Sequence, residues 1–304
     1  MEVQGYYLES RFAIMELVLV RYAEMGLKSR AVRKRFESIL VENMMSALAR
    51  AGVEGIITTE QGRVFVETLR VGEAVVALSR VFGVSSVSPV LRTSSDLEVM
   101  RQAIATFSQG LLRQNQSFAV RARRTGTHPY TSMDLGRELG SAVWLANEDK
   151  KPRVDLGDPD VEFFVEVREK KAYMFSEYVA GPGGLPMGSQ GKVIAVLERE
   201  KDAVAAWLIM KRGCRVIGVG GEDGPAVAAL RPWDPDIKVV PEGDIAELVR
   251  RHKAMAVVFG YGLEDFQRIS ELKILAPAFY PLVGMTEEEI EERFRAIKVQ
   301  PHLP

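Results

Sequence analysis

Three groups of residues in this chain have types and spacing suited to contact with phosphate. The first is Leu197-Glu198-Arg199-Glu200-Lys201-Asp202, a polar turn between the apolar run 193–197 and a helix that Gly213 can cap in the left-handed region. Strand, turn and helix in an α/β sheet place free N–H groups where a nucleotide's phosphates bind. Glycines in such a loop permit positive φ and let N–H groups approach phosphate without an intervening Cβ. Glu198 and Arg199 remove that freedom. Carboxylates at Glu198 and Glu200 would also face a polyphosphate, and like charges about 4 to 6 Å apart cost on the order of 1 kcal/mol. Arg199 and Lys201 offset the charge without restoring the cradle.

The second group is Arg121, Arg123 and Arg124, with Arg137 on the helix that follows. In the stretch 117–123, Phe118, Val120 and Ala122 point one way and Arg121 and Arg123 the other. Guanidinium forks beside the Gly-containing loop TGTHPY suit phosphate oxygens, although surface ion pairs with Asp134 or Glu138 explain the spacing equally well. The third group is Arg21, Lys28, Arg30, Arg33, Lys34 and Arg35, with Glu24 the one acid among them. Arg30, Arg33 and Lys34 share a helix face with Glu37. Taken alone, that face reads first as solvated surface and second as an RNA contact.

Hydrophobic periodicity defines the elements that must hold these groups. Residues 14–20 form an apolar run of strand length, and a helix is predicted over 29–50 with Val32, Phe36, Ile39, Leu40 and Ala47 on its core face. Strands at 56–59 and 64–67 flank the hairpin turn Glu60-Gln61-Gly62-Arg63, and a helix over 73–82 precedes a strand over 84–91. The order βαββαβ is that of a ferredoxin-like unit over residues 14–91. A second unit, 92–180, is predicted to hold a helix over 97–112 and the arginine strand. Within it, a capping box from Thr131 to Asp134 opens a helix that buries Leu135, Leu139, Ala142 and Val143, and paired strands follow at 161–168 and 172–177. A third unit, 181–304, begins with a Gly/Pro-rich connector. Its strands at 193–197, 215–219, 237–240, 254–259 and 274–280 alternate with helices. Helices are predicted over 244–253 and 263–272, and a last one starts at Thr286, where Glu289 completes a capping box and Ile290 and Phe294 face inward. Such alternation means a parallel sheet covered by helices.

Composition limits the function classes. In 304 residues with a formal net charge of −1, any nucleic-acid site must be a local patch. No apolar stretch is long enough for a membrane span and no signal core is present, so a cytoplasmic protein is expected. Cys214 is the single cysteine, which excludes a disulfide framework. It reads as a small core residue, as do Trp207, Leu208 and Met210 near it. His128, His252 and His302 lack partners at ligand spacing, so no metal site is expected.

Several phrases, taken in order, resemble the tRNA 4-thiouridine synthetase (thiamine biosynthesis) family. VLVRYAEMGLKSRAVRKRFESIL is similar to its N-terminal ferredoxin-like domain. VFGVSSVSPV, FAVRARR, VDLGDPDVEFFVEVREKKAYMFSE and GPGGLPMGSQGKV are similar to its THUMP domain and following linker, and FYPLVGMTEEEI to its PP-loop domain. The resemblance implies a ferredoxin-like plus THUMP platform that grips tRNA near its acceptor end, followed by a Rossmann-like PP-loop domain that uses ATP to adenylate a uridine. On it, the phosphate-binding Ser-Gly-Gly-x-Asp-Ser loop falls on residues Leu197 to Asp202, none of which is glycine. It also places the persulfide cysteine and a rhodanese-like extension beyond residue 304. The leading expectation is a tRNA-binding protein that contacts RNA through Arg30, Arg33, Lys34, Arg121, Arg123, Arg124 and Arg137, with no catalytic residue and a degenerate ATP loop. The alternative is an ATP-dependent tRNA sulfurtransferase acting with a partner that supplies sulfur. ATP is a cofactor only under that alternative. A homodimer or a modification-enzyme partner is compatible with either.

Overall fold

The structure is a computed structural model, and it describes residues 16–22, 24, 29–60, 62–271 and 276–299. Alternating apolar residues build the first strands. β1 (Leu17–Arg21) pairs antiparallel with β3 (Arg63–Glu67) on one side and with β4 (Ser86–Ser94) on the other, and β2 (Ile56–Glu60) completes the edge. Two helices, α1 (Arg30–Arg50) and α2 (Val71–Leu78), cover one face, so the unit is ferredoxin-like as expected. Phe36, Leu40, Met44 and Leu48 form the buried stripe of α1. Val32, assigned to the core by periodicity, is 40% exposed because the stripe begins one turn later. Helix α2 is shorter than the predicted 73–82, since the chain turns after Leu78 toward Gly83.

β4 continues past the boundary expected at residues 91–92. Its first residues, Ser86 to Val90, pair with β1, and Leu91 to Ser94 pair with β8 (Lys171–Phe175), so one sheet runs through both units. After β4 come α3 (Leu97–Gln109), β5 (Ser117–Thr125), α4 (Ser132–Ala146), the two-residue β6 (Arg153–Val154) and β7 (Val161–Arg168). A short β9 (Val179–Ala180) returns to β4. The strand order is β2-β3-β1-β4-β8-β7-β5-β6. β6 and β9 are not foreseeable from the sequence, because two residues carry no periodicity. Arg21 belongs to this sheet and not to a surface patch. It is 7% exposed, its guanidinium lies 4.5 Å from the ring centroids of both Phe175 and Tyr178, and it donates to Ser88 Oγ at 2.9 Å. Lys28 lies outside the described residues.

The third unit is a five-stranded parallel sheet, β10 (Lys192–Val196), β11 (Arg215–Val219), β12 (Lys238–Val240), β13 (Val257–Val258) and β14 (Ala278–Phe279), in the order β12-β11-β10-β13-β14. Helices α5 (Glu200–Lys211) and α9 (Glu287–Lys298) pack on one face, together with α6 (Pro225–Leu230), which periodicity does not predict. α7 (Ile245–His252) packs on the other, and α8 (Phe266–Glu271) precedes β14. The capping box at Thr286 and the burial of Ile290 and Phe294 are as expected. So is the burial of Trp207 and Met210, with Leu208 and Cys214 partly buried against them. Burial pushes the Cys214 thiol up, which suits a packed side chain and not a nucleophile. Residues 272–275, which include the first two residues of the predicted last strand, lie outside the described set, as does Gln61 of the hairpin.

The Gly/Pro-rich connector ties this sheet to the first unit. Gly83 N–H donates to Gly183 O at 2.8 Å, Leu185 N–H to Lys211 O at 3.0 Å, and Asn43 Nδ2 to Met187 O at 3.0 Å. Gly184 has φ +75°, and a Cβ there would sit 2.0 Å from Lys211 O, so the crossing requires glycine. Phe82 of the first unit packs at a tilt against Trp207 and Trp233, with centroids 5.6 Å from each.

Candidate nucleic-acid interface

β5 is where the chain collects cations beside apolar surface. Phe118 turns into the core, and Val120 and Ala122 pack against it from the same side. Arg121 and Arg123 stand opposite Phe164 and Glu166 of β7 on the other face. β6 pairs only with Ser117 and Phe118, so beyond that point β5 has no strand on its outer side among the described residues. The space between that edge and α4 is a groove of about 1210 Å³. Arg121, Arg123 and Arg137 line it, and so do Met133, Trp144 and Leu156, which are exposed. Single-stranded nucleic acid is held by this combination, in which cations track the backbone and an aromatic ring stacks a base.

The helix that carries half of this groove is set by its first turn. Thr131 Oγ1 accepts from Asp134 N–H at 3.1 Å, and the Asp134 carboxylate accepts from Thr131 N–H at 3.1 Å. The hydrogen bonds from Thr131 hold the Asp134 carboxyl below its ordinary pKa. Leu135, Leu139, Ala142 and Val143 are buried on the inner side of α4, as the periodicity predicts, and Arg137 is exposed on the outer side.

The four arginines expected here have different surroundings. Arg121 is half committed, since its Nε donates to Glu162 at 2.7 Å and its Nη2 to Leu156 O at 2.8 Å. Arg123 is exposed, and among the described residues no hydrogen bond or ion pair holds its guanidinium. The Arg137 guanidinium donates to Met133 Sδ at 3.4 Å and is in no ion pair among the described residues. Arg124 instead donates to Gly126 O at 3.0 Å within its own loop and does not line the groove. That loop is pinned by His128, whose Nε2–H donates to Glu169 O at 2.7 Å. The acids weighed as partners are engaged elsewhere: Glu138 takes Arg101, and Asp134 caps its helix. Trp144 escapes sequence reading, because at helical spacing it looks like core, yet it is 41% exposed.

Arg30 and Lys34 are exposed on α1 and Arg33 is half-buried. Glu37, which shares their face, hydrogen-bonds to the Tyr22 hydroxyl. Neither the groove lining nor any pairing among the described residues connects these three cations to β5 and α4.

The turn 197–202 lies at the carboxyl edge of the parallel sheet, between β10 and β13, where the strand order reverses and such sheets bind ligands. Asp202 caps the start of α5 from within the turn. It is 3% exposed, and its Oδ2 accepts from Glu198 N–H at 3.0 Å and Arg199 N–H at 2.7 Å. Arg199 Nη2 reaches Asp202 Oδ1 at 3.3 Å. Gly260 backs the carboxylate so closely that a Cβ there would lie 2.1 Å from Oδ1. The acids singled out from sequence, Glu198 and Glu200, are exposed; the carboxylate on the donors is Asp202. Lys201 is bound to Glu264 at 2.6 Å and Asp265 at 3.3 Å. Burial lowers its ammonium pKa, and these two bonds outweigh that effect and raise it. Leu197 is buried.

A family model described as the ThiI ferredoxin-like domain matches residues 17–88, and one described as the THUMP domain matches residues 94–177. The "Probable tRNA sulfurtransferase" of Aeropyrum pernix is 41% identical over an alignment 332 positions long, covering 92% of this chain and 83% of the relative. The protein of the same name from Methanosarcina acetivorans is 45% identical over 213 residues, 69% of this chain and 52% of the relative. The chain spans about half the length of the latter relative. Among solved structures, PH1313 from Pyrococcus horikoshii superposes with a TM-score of 0.82 at 30% identity, covering 94% of this chain and 100% of that one. A 4-thiouridine synthetase in complex with RNA and bound ATP shares the fold, with a TM-score of 0.72 at 23% identity, covering 93% and 85%. A relative this similar across nearly the whole length, with both domain models in order, shows that the chain belongs to the tRNA sulfurtransferase family.

Proposed function

We propose that this chain serves tRNA thiolation by holding tRNA, with three units at residues 14–91, 92–180 and 181–304 and with the groove between β5 and α4 as the grip. Arg121, Arg123 and Arg137 contact phosphate there, and Trp144 stacks a base of the single-stranded 3′ end. Arg30, Arg33 and Lys34 extend the basic surface, while Arg124 serves its loop. The protein is cytoplasmic. Among the described residues no helix is long and apolar enough to cross a membrane.

The observation that carries the division of labour is Asp202 on the amides of Glu198 and Arg199. Those amides are the donors a nucleotide phosphate would need, and a buried carboxylate already satisfies them. In this reading the 197–202 turn does not serve adenylation. The second reading is an ATP-dependent tRNA sulfurtransferase that works with a sulfur-supplying partner. The names of the relatives favour that alternative over loss of the reaction. It requires Asp202 to leave both amides when ATP binds. ATP/pyrophosphate exchange in the presence of tRNA separates the two. No exchange above background is expected, and robust exchange by the purified protein establishes the second reading.

A further inference from the structure

The amino edge of the parallel sheet, opposite the 197–202 turn, gathers cations. β10 opens on Lys192, β11 on Arg215 and β12 on Lys238. Lys192 and Arg215 are partners in register, and Lys238 is opposite Ile217 on the next strand. Lys192 and Lys238 are therefore two strand spacings apart, about 10 Å. Both are exposed, and strand alternation puts both on the face that α7 covers, with Ile194 and Val240. α7 runs back to this edge and ends there on Arg250, Arg251 and His252, with Lys253 as its left-handed C-cap. Met255 N–H then donates to Lys192 O at 2.8 Å, which ties the end of the helix to the start of β10.

These cations act on one another at His252. Burial and then the like charges of Lys238, Arg251 and Lys192 push its half-buried imidazole down. Lys192, Lys238, Arg250, Arg251 and Lys253 are exposed, and none has a side-chain hydrogen bond or ion pair among the described residues. Glu247, one turn earlier on α7, pairs with none of them. Asp236 is committed to Arg50, and Arg215 exerts its pull on the buried Asp234. The helix dipole accounts for cations in the last turn of α7. It does not account for Lys192 and Lys238, which stand on strands. In a chain of net charge −1, cations gathered without acids make a local positive field.

We infer that this edge binds the phosphate backbone of double-helical RNA through Lys192, Lys238, Arg250, Arg251 and Lys253. No Phe, Tyr or Trp lies in the segments 188–192, 236–240 and 249–255, so the edge has no ring to stack a base, unlike the groove with Trp144. Lysine is depleted at protein–protein interfaces, whereas its point charge suits phosphate. Charges spread over about 10 Å and lacking a stacking ring match A-form RNA, which proteins hold largely by its phosphates and 2′-hydroxyls. The choice of RNA rests on the proposed function: the groove takes the single-stranded end, and the amino edge takes a paired stem.

Anisotropy titrations of the full chain with a blunt RNA duplex of about 16 base pairs, over a range of salt, test this. The duplex has no single-stranded end, so replacing Arg123 and Arg137 with Ala leaves its binding unchanged even where it abolishes the groove. Saturable binding at low salt is expected. The triple variant Lys238→Gln, Arg251→Gln, Lys253→Gln is expected to bind at least about tenfold more weakly and to lower the slope of log affinity against log salt by about 2. Arg293→Gln, Arg295→Gln, Lys298→Gln removes the same charge from α9, on the other face of the sheet, where Glu291 and Glu292 neighbour the cations. That variant is expected to bind as the wild type does. All six side chains are exposed, so both triple variants should fold. A duplex that does not bind saturably at low salt overturns the assignment, as does an affinity that the first triple variant leaves unchanged or that both variants lower equally. Polyglutamate of the same charge binding as tightly as the duplex also overturns it, in favour of an acidic protein.

Discussion

Arg123 and Arg137 are the cations in the β5–α4 groove that no acid among the described residues neutralises, whereas Arg121 shares its charge with Glu162. Removing one cation from a phosphate should lower the slope of log affinity against log salt by roughly 0.7 to 0.9. Replacing both Arg123 and Arg137 with Ala is therefore expected to flatten the slope for tRNA by close to twice that amount, while Arg124→Ala leaves it unchanged. An unaltered slope in the double variant counts against the groove. Alternation along 117–123 is enough to place these arginines on one face. It is not enough to say which of them are engaged, because Glu162 arrives from β7 and Arg124 folds back on the turn that follows its own strand. Tyr22 is not legible at all. Burial, then its hydrogen bond to Glu37, pushes its hydroxyl up to about 12 from 10.0. A raised pKa in the folded state means stability that is complete below pH about 10 and is lost as pH rises toward about 12. The stability gap between the wild type and Tyr22→Phe, read from urea midpoints, should be constant below pH about 10 and narrow above it. A gap that stays constant throughout contradicts the assignment.

Secondary elements with strong caps are readable from sequence, and short elements without them are not. The Thr131–Asp134 and Thr286–Glu289 boxes each predict a helix start that the structure bears out. α6 escapes because its six residues follow a Gly-rich turn with no acid or hydroxyl cap. Val32 is misplaced because one apolar residue at helical spacing does not show where the neighbouring sheet ends. The cap on α4 bears on the proposed grip, since that helix carries Arg137 and Trp144. Thr131→Ala should lower the melting temperature by a few degrees and weaken tRNA binding as the first turn frays. Thr286→Ala, on α9, should lower stability similarly and leave tRNA binding intact. Equal effects of the two variants on binding would show that α4 holds no part of the interface.

At the scale of the whole molecule, three units are joined more tightly than sequence implies. β4 passes from the ferredoxin-like unit into the THUMP unit without a break, and the connector that starts near Gly181 is hydrogen-bonded on both sides. Such continuity is invisible to periodicity, which reads one strand as two neighbouring segments and glycines as linker. With a net charge of −1 the chain attracts RNA only where cations cluster, so the grip depends on local geometry. The position of the 197–202 turn is legible from strand, turn and helix. The burial of Asp202 against Gly260 is not, because Gly260 arrives from just after β13. The most direct measurement is an anisotropy titration of the full chain with intact tRNA and with tRNA lacking its single-stranded 3′ end, each with and without ATP. The account predicts at least about tenfold tighter binding of the intact tRNA, the contribution of one stacked base, and no effect of ATP. Equal affinity for the two RNAs, or tighter binding when ATP is added, would contradict it.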